Sequence, residues 1–315
     1  MHLKTRYFPL LLAVCLLLSG CGAEGTQTAA VPLRQSAADS VSGEEFTPYE
    51  APPLATVAFH SELAEGNNSM KIDISAASEG YVAVQARSDK RLKFQVIKDE
   101  WTYTYNISSD GEVSFFPLQC GDGAYTFRIM ENIESNKYAQ AYLTNCSVLL
   151  SDEFQPFLRP SDYCPYDGDS ACVKKAAELA SSCSDRLGVV SAVYAYVCKH
   201  IRYDQKKASS VQSGYLPDPD ETLESGKGIC FDYASLAAAM LRSQGIPTRI
   251  VFGYVAPNNL YHAWNMFYTE ESGWVTVSFE VKGKNWNRID LTFSAGGAND
   301  QFVGDGSHYT DVYFY

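Results

Sequence analysis

The spacing of apolar residues changes period once along this chain, and that change limits the folds open to it. From about residue 54 to 150, apolar and polar residues alternate in short runs. Examples are Met70-Lys71-Ile72-Asp73-Ile74, Gly80-Tyr81-Val82-Ala83-Val84 and Trp101-Thr102-Tyr103-Thr104-Tyr105. Successive strand side chains point to opposite faces, so such runs bury one face and wet the other. Gly, Asn, Asp and Ser separate the runs, and aromatic and β-branched residues fill them. This predicts an antiparallel β-sandwich over residues 54–150. Beyond residue 150 the period becomes helical. Val173, Ala176, Ala177 and Ala180 predict a helix over 170–183, capped by Asp169 or Ser170. Val190, Val193, Tyr194, Val197 and Ile201 form the stripe of a second helix over 185–200. Tyr233, Ala237, Met240 and Leu241 mark a third that opens at Cys230, stops at Gly245 and is followed by Pro247. Strands then return over 249–255 and 262–268, joined through Pro257-Asn258-Asn259. A hairpin of 274–280 and 286–292 turns at Gly283. Strands first, then helices with strands, predict an α+β chain with a sandwich over 54–150 and a helix-on-sheet domain over 151–315.

The first twenty residues read as a targeting segment. Lys4 and Arg6 precede an apolar run over 10–18, too short to span a bilayer comfortably, and Leu18-Ser19-Gly20-Cys21 follows. That tetrapeptide resembles the lipobox of bacterial lipoproteins, which implies cleavage before Cys21 and thioether lipidation of Cys21. An ordinary signal peptide with a stray cysteine is the alternative. Residues 21–53, rich in Ala, Ser, Thr, Gly and Glu and poor in aromatics, read as a flexible tether. With no later segment apolar enough for a second crossing, the expectation is an extracytoplasmic protein held to the membrane by lipid.

Charge and cysteine count remove several function classes. The net charge is −12 and no basic cluster stands out, which argues against a nucleic-acid partner. There is no Walker loop, no Gly-x-Gly-x-x-Gly and no Cys-x-x-Cys, so neither a cofactor nor a zinc site is expected. Of nine cysteines, Cys15 leaves with the signal and Cys21 takes the lipid. Cys120, Cys146, Cys164, Cys172, Cys183, Cys198 and Cys230 remain, an odd number. Cys172 and Cys183 fall on one predicted helix, roughly 16 Å apart at its usual rise, beyond bridging distance. Cys120 and Cys146 flank a predicted hairpin centred near residue 133 and could pair across it.

Cys230 follows Gly226-Lys227-Gly228 at a helix start, where the dipole and free N–H groups favour a thiolate and can hold an oxyanion. A buried, inert core cysteine is the competing reading of that position. Of five histidines, His2 lies in the signal, His60 starts the sandwich, His200 ends a helix and His308 lies in a Gly/Ser/Asp-rich loop. His262 opens the alternating run His262-Ala263-Trp264-Asn265-Met266-Phe267-Tyr268, placed where a strand beside a loop can meet a helix N-terminus. A Cys–His pair calls for an orienting acceptor. Asp290, in the second strand of the late hairpin, is the chosen residue, with Glu280 as its rival.

The ordered runs GKGICFDYASLAAAMLRSQGIPTRIVFGY, YHAWNMF and WNRIDLTF resemble the transglutaminase-like domain family, over roughly residues 185–295. That family shares the papain-like thiol enzyme architecture. Its pattern is Gly-x-Cys at a helix start, Leu-Arg-x-x-Gly-Ile-Pro-x-Arg, His-Ala-Trp on a strand, and Asp-Pro-Thr. The resemblance implies Cys230 as nucleophile, His262 as base and Asp290 as orienting acid. Two places differ: Ser278 stands where many members carry the aspartate, and Asp-Pro-Thr is Asp-Leu-Thr here. The implied chemistry is attack on an amide of a protein or peptide substrate, cell-wall peptide included, through an acyl-enzyme that water or an amine resolves. A non-catalytic surface module of the same fold, for binding or envelope organisation, and a plain structural lipoprotein are the alternatives.

Overall fold

The computed structural model describes residues 46–255, 260–270, 273–282, 285–293 and 309–315. The targeting segment, Cys21, the turns at 257–259 and Gly283, and His308 lie outside the described residues.

Eight strands come first: β1 (Glu65–Gly66), β2 (Met70–Asp73), β3 (Tyr81–Arg87), β4 (Leu92–Lys98), β5 (Trp101–Ile107), β6 (Asp110–Pro117), β7 (Gly123–Glu134) and β8 (Lys137–Val148). They form two antiparallel sheets, ordered β1-β2-β3-β6 and β5-β4-β7-β8. Alternation decides which faces meet. Val82, Val84 and Ala86 of the first sheet are buried, as are Leu92, Phe94, Val96, Tyr103, Tyr105, Tyr125, Phe127 and Ile129 of the second. All belong to one apolar cluster, so the sheets close as a sandwich. Phe94 sits at its centre, with ring centroids 5.0 Å from Phe116 and 6.1 Å from Phe127.

The chain then runs through α1 (Ala171–Ala180), α2 (Arg186–His200), β9 (Arg202–Tyr203), α3 (Gln205–Ser210), α4 (Pro219–Ser225), β10 (Lys227–Gly228) and α5 (Cys230–Arg242). It continues with β11 (Thr248–Val255), β12 (Leu260–Thr269), β13 (Gly273–Lys282), β14 (Asn285–Phe293) and β15 (Tyr309–Phe314). The last five strands form one antiparallel sheet ordered β14-β13-β12-β11-β15. Residues 231–242 of α5 are all buried, so this helix has no wet face and serves as the domain's core. It is packed by α1, α2 and α4 and by β11 and β12. The fold is α+β. Among the described residues no helix is long and apolar enough to cross a membrane.

Residues 46–315 form one compact unit with two apolar clusters, and Tyr163 and Phe252 pack against both. The segment before the sandwich is already docked at Tyr49. Its N–H donates to the Cys183 carbonyl at 2.7 Å, and its hydroxyl donates to the Gln244 carbonyl at 2.6 Å.

Three local expectations differ from the structure. The cap of α1 comes from neither Asp169 nor the Ser170 side chain: Asp220, at the start of α4, accepts the N–H groups of Ala171 and Cys172, both at 2.8 Å. Helix α1 also ends at Ala180, leaving Cys183 in the following turn. Finally, Cys120 and Cys146 do not pair. The β7–β8 register sets Cys146 opposite Tyr125, with Cys120 before the strand begins, and all seven described cysteines are free.

Candidate active site

Cys230 is the first residue of α5, preceded by Ile229 in extended conformation. Gly228 explains the glycine of the Gly-x-Cys pattern, since a β-carbon there would lie 2.6 Å from Asp232 Cβ. Asp232, third in the helix and fully buried, accepts the Ile229 N–H at 2.7 Å, which is one half of a capping box. The same carboxylate accepts the Tyr215 hydroxyl at 2.6 Å and pairs with Lys207 Nζ at 2.8 Å. Lys207 also donates to the Tyr215 hydroxyl at 2.6 Å. This triangle ties α3 and the loop after it to the helix that presents the thiol. Neither Lys207 nor Tyr215 was singled out from sequence. Asp232 could have been, as an acid three residues past an N-cap.

Cys230 is half-buried and free. Burial pushes its thiol above the ordinary value. The N–H groups of Ala263 and Phe231 oppose that by hydrogen bonding to the sulfur, the nearby Asp232 charge adds to it, and the residue's own N–H again opposes it. A helix N-terminus alone points to a lowered thiol, so the upward shift corrects the simple dipole expectation: desolvation exceeds the pull of the backbone donors.

The Ala263 N–H also places Cys230 close to β12. His262 lies on β12 opposite Gly253 of β11, and Ala263 is the next residue, so Cys230 and the His262–Ala263 peptide are neighbours. The His262 ring is half-buried and lies nearly parallel to Trp264, with centroids 6.4 Å apart. Asn265 fixes this meeting of helix and strand. Fully buried, it donates through Nδ2 to the Ala234 carbonyl of α5 at 3.0 Å and to the Arg249 carbonyl of β11 at 3.3 Å. Asp290 lies in β14 opposite Ser278 of β13, and Glu280 lies opposite Arg288. The side chains of Asp290 and Glu280 lie outside the described residues.

The Leu-Arg-x-x-Gly-Ile-Pro-x-Arg run proves to be a fastening at the far end of α5. Arg242, almost fully buried, donates to the carbonyls of Thr248, Arg159 and Tyr315 at 2.9, 2.8 and 3.0 Å. Gly245 has φ +71°, and a β-carbon on it would lie 2.1 Å from Pro52 Cγ. The Arg249 guanidinium lies over Trp274 at 3.8 Å, with Phe157 at 4.5 Å and Phe314 at 4.8 Å. Burial lowers its pKa to about 10.

Residues 173–279 match the family model of the transglutaminase-like superfamily, a span that includes Cys230 and His262 and ends before Asp290. An uncharacterized protein of Mycobacterium leprae, ML0607, is 28% identical over 180 residues, covering 53% of this chain and 56% of the relative. The chain thus spans little more than half the length of that relative. Among solved structures, a Cytophaga hutchinsonii protein provisionally described as a cysteine protease is 16% identical, with a TM-score of 0.34. It covers 80% of this chain and 89% of its own. Red sea bream transglutaminase is 12% identical with a TM-score of 0.27, covering 63% of this chain and 47% of its own. Residues 173–279 thus match the core of the transglutaminase-like superfamily, and the sandwich lies outside that match.

Proposed function

We propose that this protein is a thiol enzyme acting on amide bonds of proteins or peptides, with Cys230 as nucleophile, His262 as base and Asp290 as the acid that orients it. The observation that carries the reading is the placement of a free helix-start thiol against the His262–Ala263 peptide. His262 acts as the general base. It takes the thiol proton as sulfur attacks the carbonyl carbon. The N–H groups at the start of α5 are the proposed donors to the oxyanion that forms. Collapse breaks the C–N bond, and His262 returns the proton to the departing amine. Water or a second amine then attacks the thioester, giving hydrolysis or transamidation, and the sulfur leaves as thiol.

The test is the alkylation rate of Cys230 by iodoacetamide, read by peptide mass mapping so that the other thiols are scored separately. His262→Ala should slow Cys230 at neutral pH and leave the other six unchanged. Asp290→Asn should act in the same direction and Glu280→Gln only weakly. Loss of an orienting carboxylate in a comparable triad costs roughly 10⁴-fold in turnover. Indifference of Cys230 to His262→Ala would sink the reading, and a strong effect of Glu280→Gln with none from Asp290→Asn would transfer the orienting role. Leu18-Ser19-Gly20-Cys21 adds the proposal that the enzyme works outside the cytoplasm, anchored through Cys21. Cys21→Ser should release it from membranes or leave its precursor uncleaved, and unchanged lipid-modified protein would refute the anchor.

A further inference from the structure

A cavity of ≈ 320 Å³ lies near the start of α5. Two of its lining residues are the immediate neighbours of the proposed catalytic pair: Phe231 follows Cys230, and Tyr261 precedes His262. Tyr163, Tyr215, Phe252 and Tyr315 complete an aromatic lining. The rings meet edge to face or tilted, with centroids 4.8 Å apart for Phe231–Phe252, 5.3 Å for Tyr163–Phe231 and 4.5 Å for Tyr163–Tyr315. Such packing holds the walls rigid before any ligand arrives. Tyr261 is 53% exposed, so the cavity is open to solvent at this residue.

The far wall belongs to the sandwich. Lys93 of β4 and Thr104 and Asn106 of β5 line it, and the loop residues Ser213 and Gly214 close the join. Gly214 is where loop and sandwich touch. Its φ is +89°, and a β-carbon there would lie 2.5 Å from Asn106 Nδ2. The loop is held from behind by Tyr215, whose hydroxyl is locked between Lys207 and Asp232. Lys93 is the one charged residue among the described lining residues, and its ammonium lies 4.7 Å from the centroid of the Tyr138 ring. Aromatic faces alone would also attract a cation, but a fixed ammonium at the rim opposes one.

We infer that this cavity is the side-chain subsite of the enzyme proposed above, that it takes an aromatic or large aliphatic residue next to the amide attacked, and that the sandwich serves as its outer wall. The inference rests on the proposed thiol chemistry and adds the substrate class to it. It also gives the N-terminal sandwich a part in recognition, beyond presenting the catalytic domain.

The probes are peptidyl acyloxymethyl ketones identical except for Phe, Leu, Gly, Lys or Asp beside the electrophile. The readout is the rate of Cys230 modification on the folded chain, normalised to its iodoacetamide rate. Phe and Leu probes should react about 10- to 100-fold faster than Gly, the range expected from burying one large apolar side chain. Lys and Asp probes should not exceed Gly. Thr104→Trp, at an exposed strand position, should fill the cavity from the sandwich side and reduce the Phe-to-Gly ratio to within about threefold. Gly214→Ala should do the same by displacing Asn106. Equal Phe and Gly rates with His262-dependent labelling intact would overturn the subsite and leave the thiol chemistry standing. A preference for Lys or Asp would overturn the substrate class. A Phe preference that survives both variants would remove the sandwich wall. If no reagent labels Cys230 in a His262-dependent way, the proposed function fails and the subsite fails with it.

Discussion

The Lys207–Asp232 pair should set the acidity of the Cys230 thiol, and its two members should act with opposite sign. Asp232 is fully buried, two residues beyond Cys230 on the same helix, and its charge already raises the thiol. Lys207 Nζ, 2.8 Å from Asp232 Oδ2, offsets that charge. Taking the carboxylate as roughly 7 Å from the sulfur and the ammonium as roughly 9–10 Å, at an effective dielectric near 20, each unit charge is worth about 2 kcal/mol at the thiol. Solvent reaches the Lys207 side chain, 27% exposed, which reduces its effect to about one pH unit. Lys207→Met should therefore shift the alkylation profile of Cys230 upward by about one pH unit, and Asp232→Asn should shift it downward. Both variants break a pair with a buried member. Lys207→Met should cost about 3 kcal/mol of stability, because the remaining carboxylate keeps only the Tyr215 hydroxyl and the Ile229 N–H. The assay is the pH–rate profile of iodoacetamide labelling at Cys230, with circular dichroism confirming that each variant is folded. Shifts of the same sign in both folded variants, or none in either, would refute the electrostatic coupling.

Three further outcomes follow from the packing. Gly245→Ala should lower stability by about 2–3 kcal/mol in thermal or urea unfolding, combining the left-handed strain of φ +71° with the clash against Pro52. A loss under about 1 kcal/mol would mean that the docked segment yields freely. Asp220→Ala should cost about 1–2 kcal/mol, because it removes two N–H acceptors at the start of α1; Asp169→Ala should cost much less, and the reverse order would contradict the capping described. Stability should fall as pH rises past about 9, since burial raises all seven described thiols, Cys164 and Cys198 to about 11. A group raised on folding stabilises below its unfolded pKa and loses that contribution as pH climbs through its folded value. For fully buried Cys164 this is about 3 kcal/mol between pH 9 and 11. A melting temperature flat over that window would show the thiols to be better solvated than the packing implies.

Periodicity is a local property, so the order of strands and helices could be read from sequence. Alternation located β2, β3 and β5, and the helical stripe located α2 nearly to its ends. Gly228 before Cys230, and Gly245 with Pro247 after the helix, bracketed α5 for a similar reason: turns and helix ends are set by a few adjacent residues. His262 on a strand and Cys230 at a helix start were legible as two separate facts. Sequence offered their meeting as an expectation, but the contact that fastens strand to helix there, Asn265 donating to Ala234 thirty-one positions away, shows in no local pattern. Nor could sequence foresee Asp220 capping a helix 49 residues earlier, or the register that separates Cys146 from Cys120. The acidity of the thiol shows the division most clearly. A helix N-terminus, visible in sequence, lowers it, whereas desolvation depends on everything packed around the sulfur and raises it further. The cavity between sandwich and α5 is likewise a product of tertiary structure alone, since its aromatic walls come from residues 163 to 315 and its outer wall from β4 and β5. Backbone preference and side-chain spacing act within a few residues, so the sequence determined the elements and the reactive residue types. Burial, charge compensation and the shape of the cleft come from contacts among distant residues, and only the folded chain decided them.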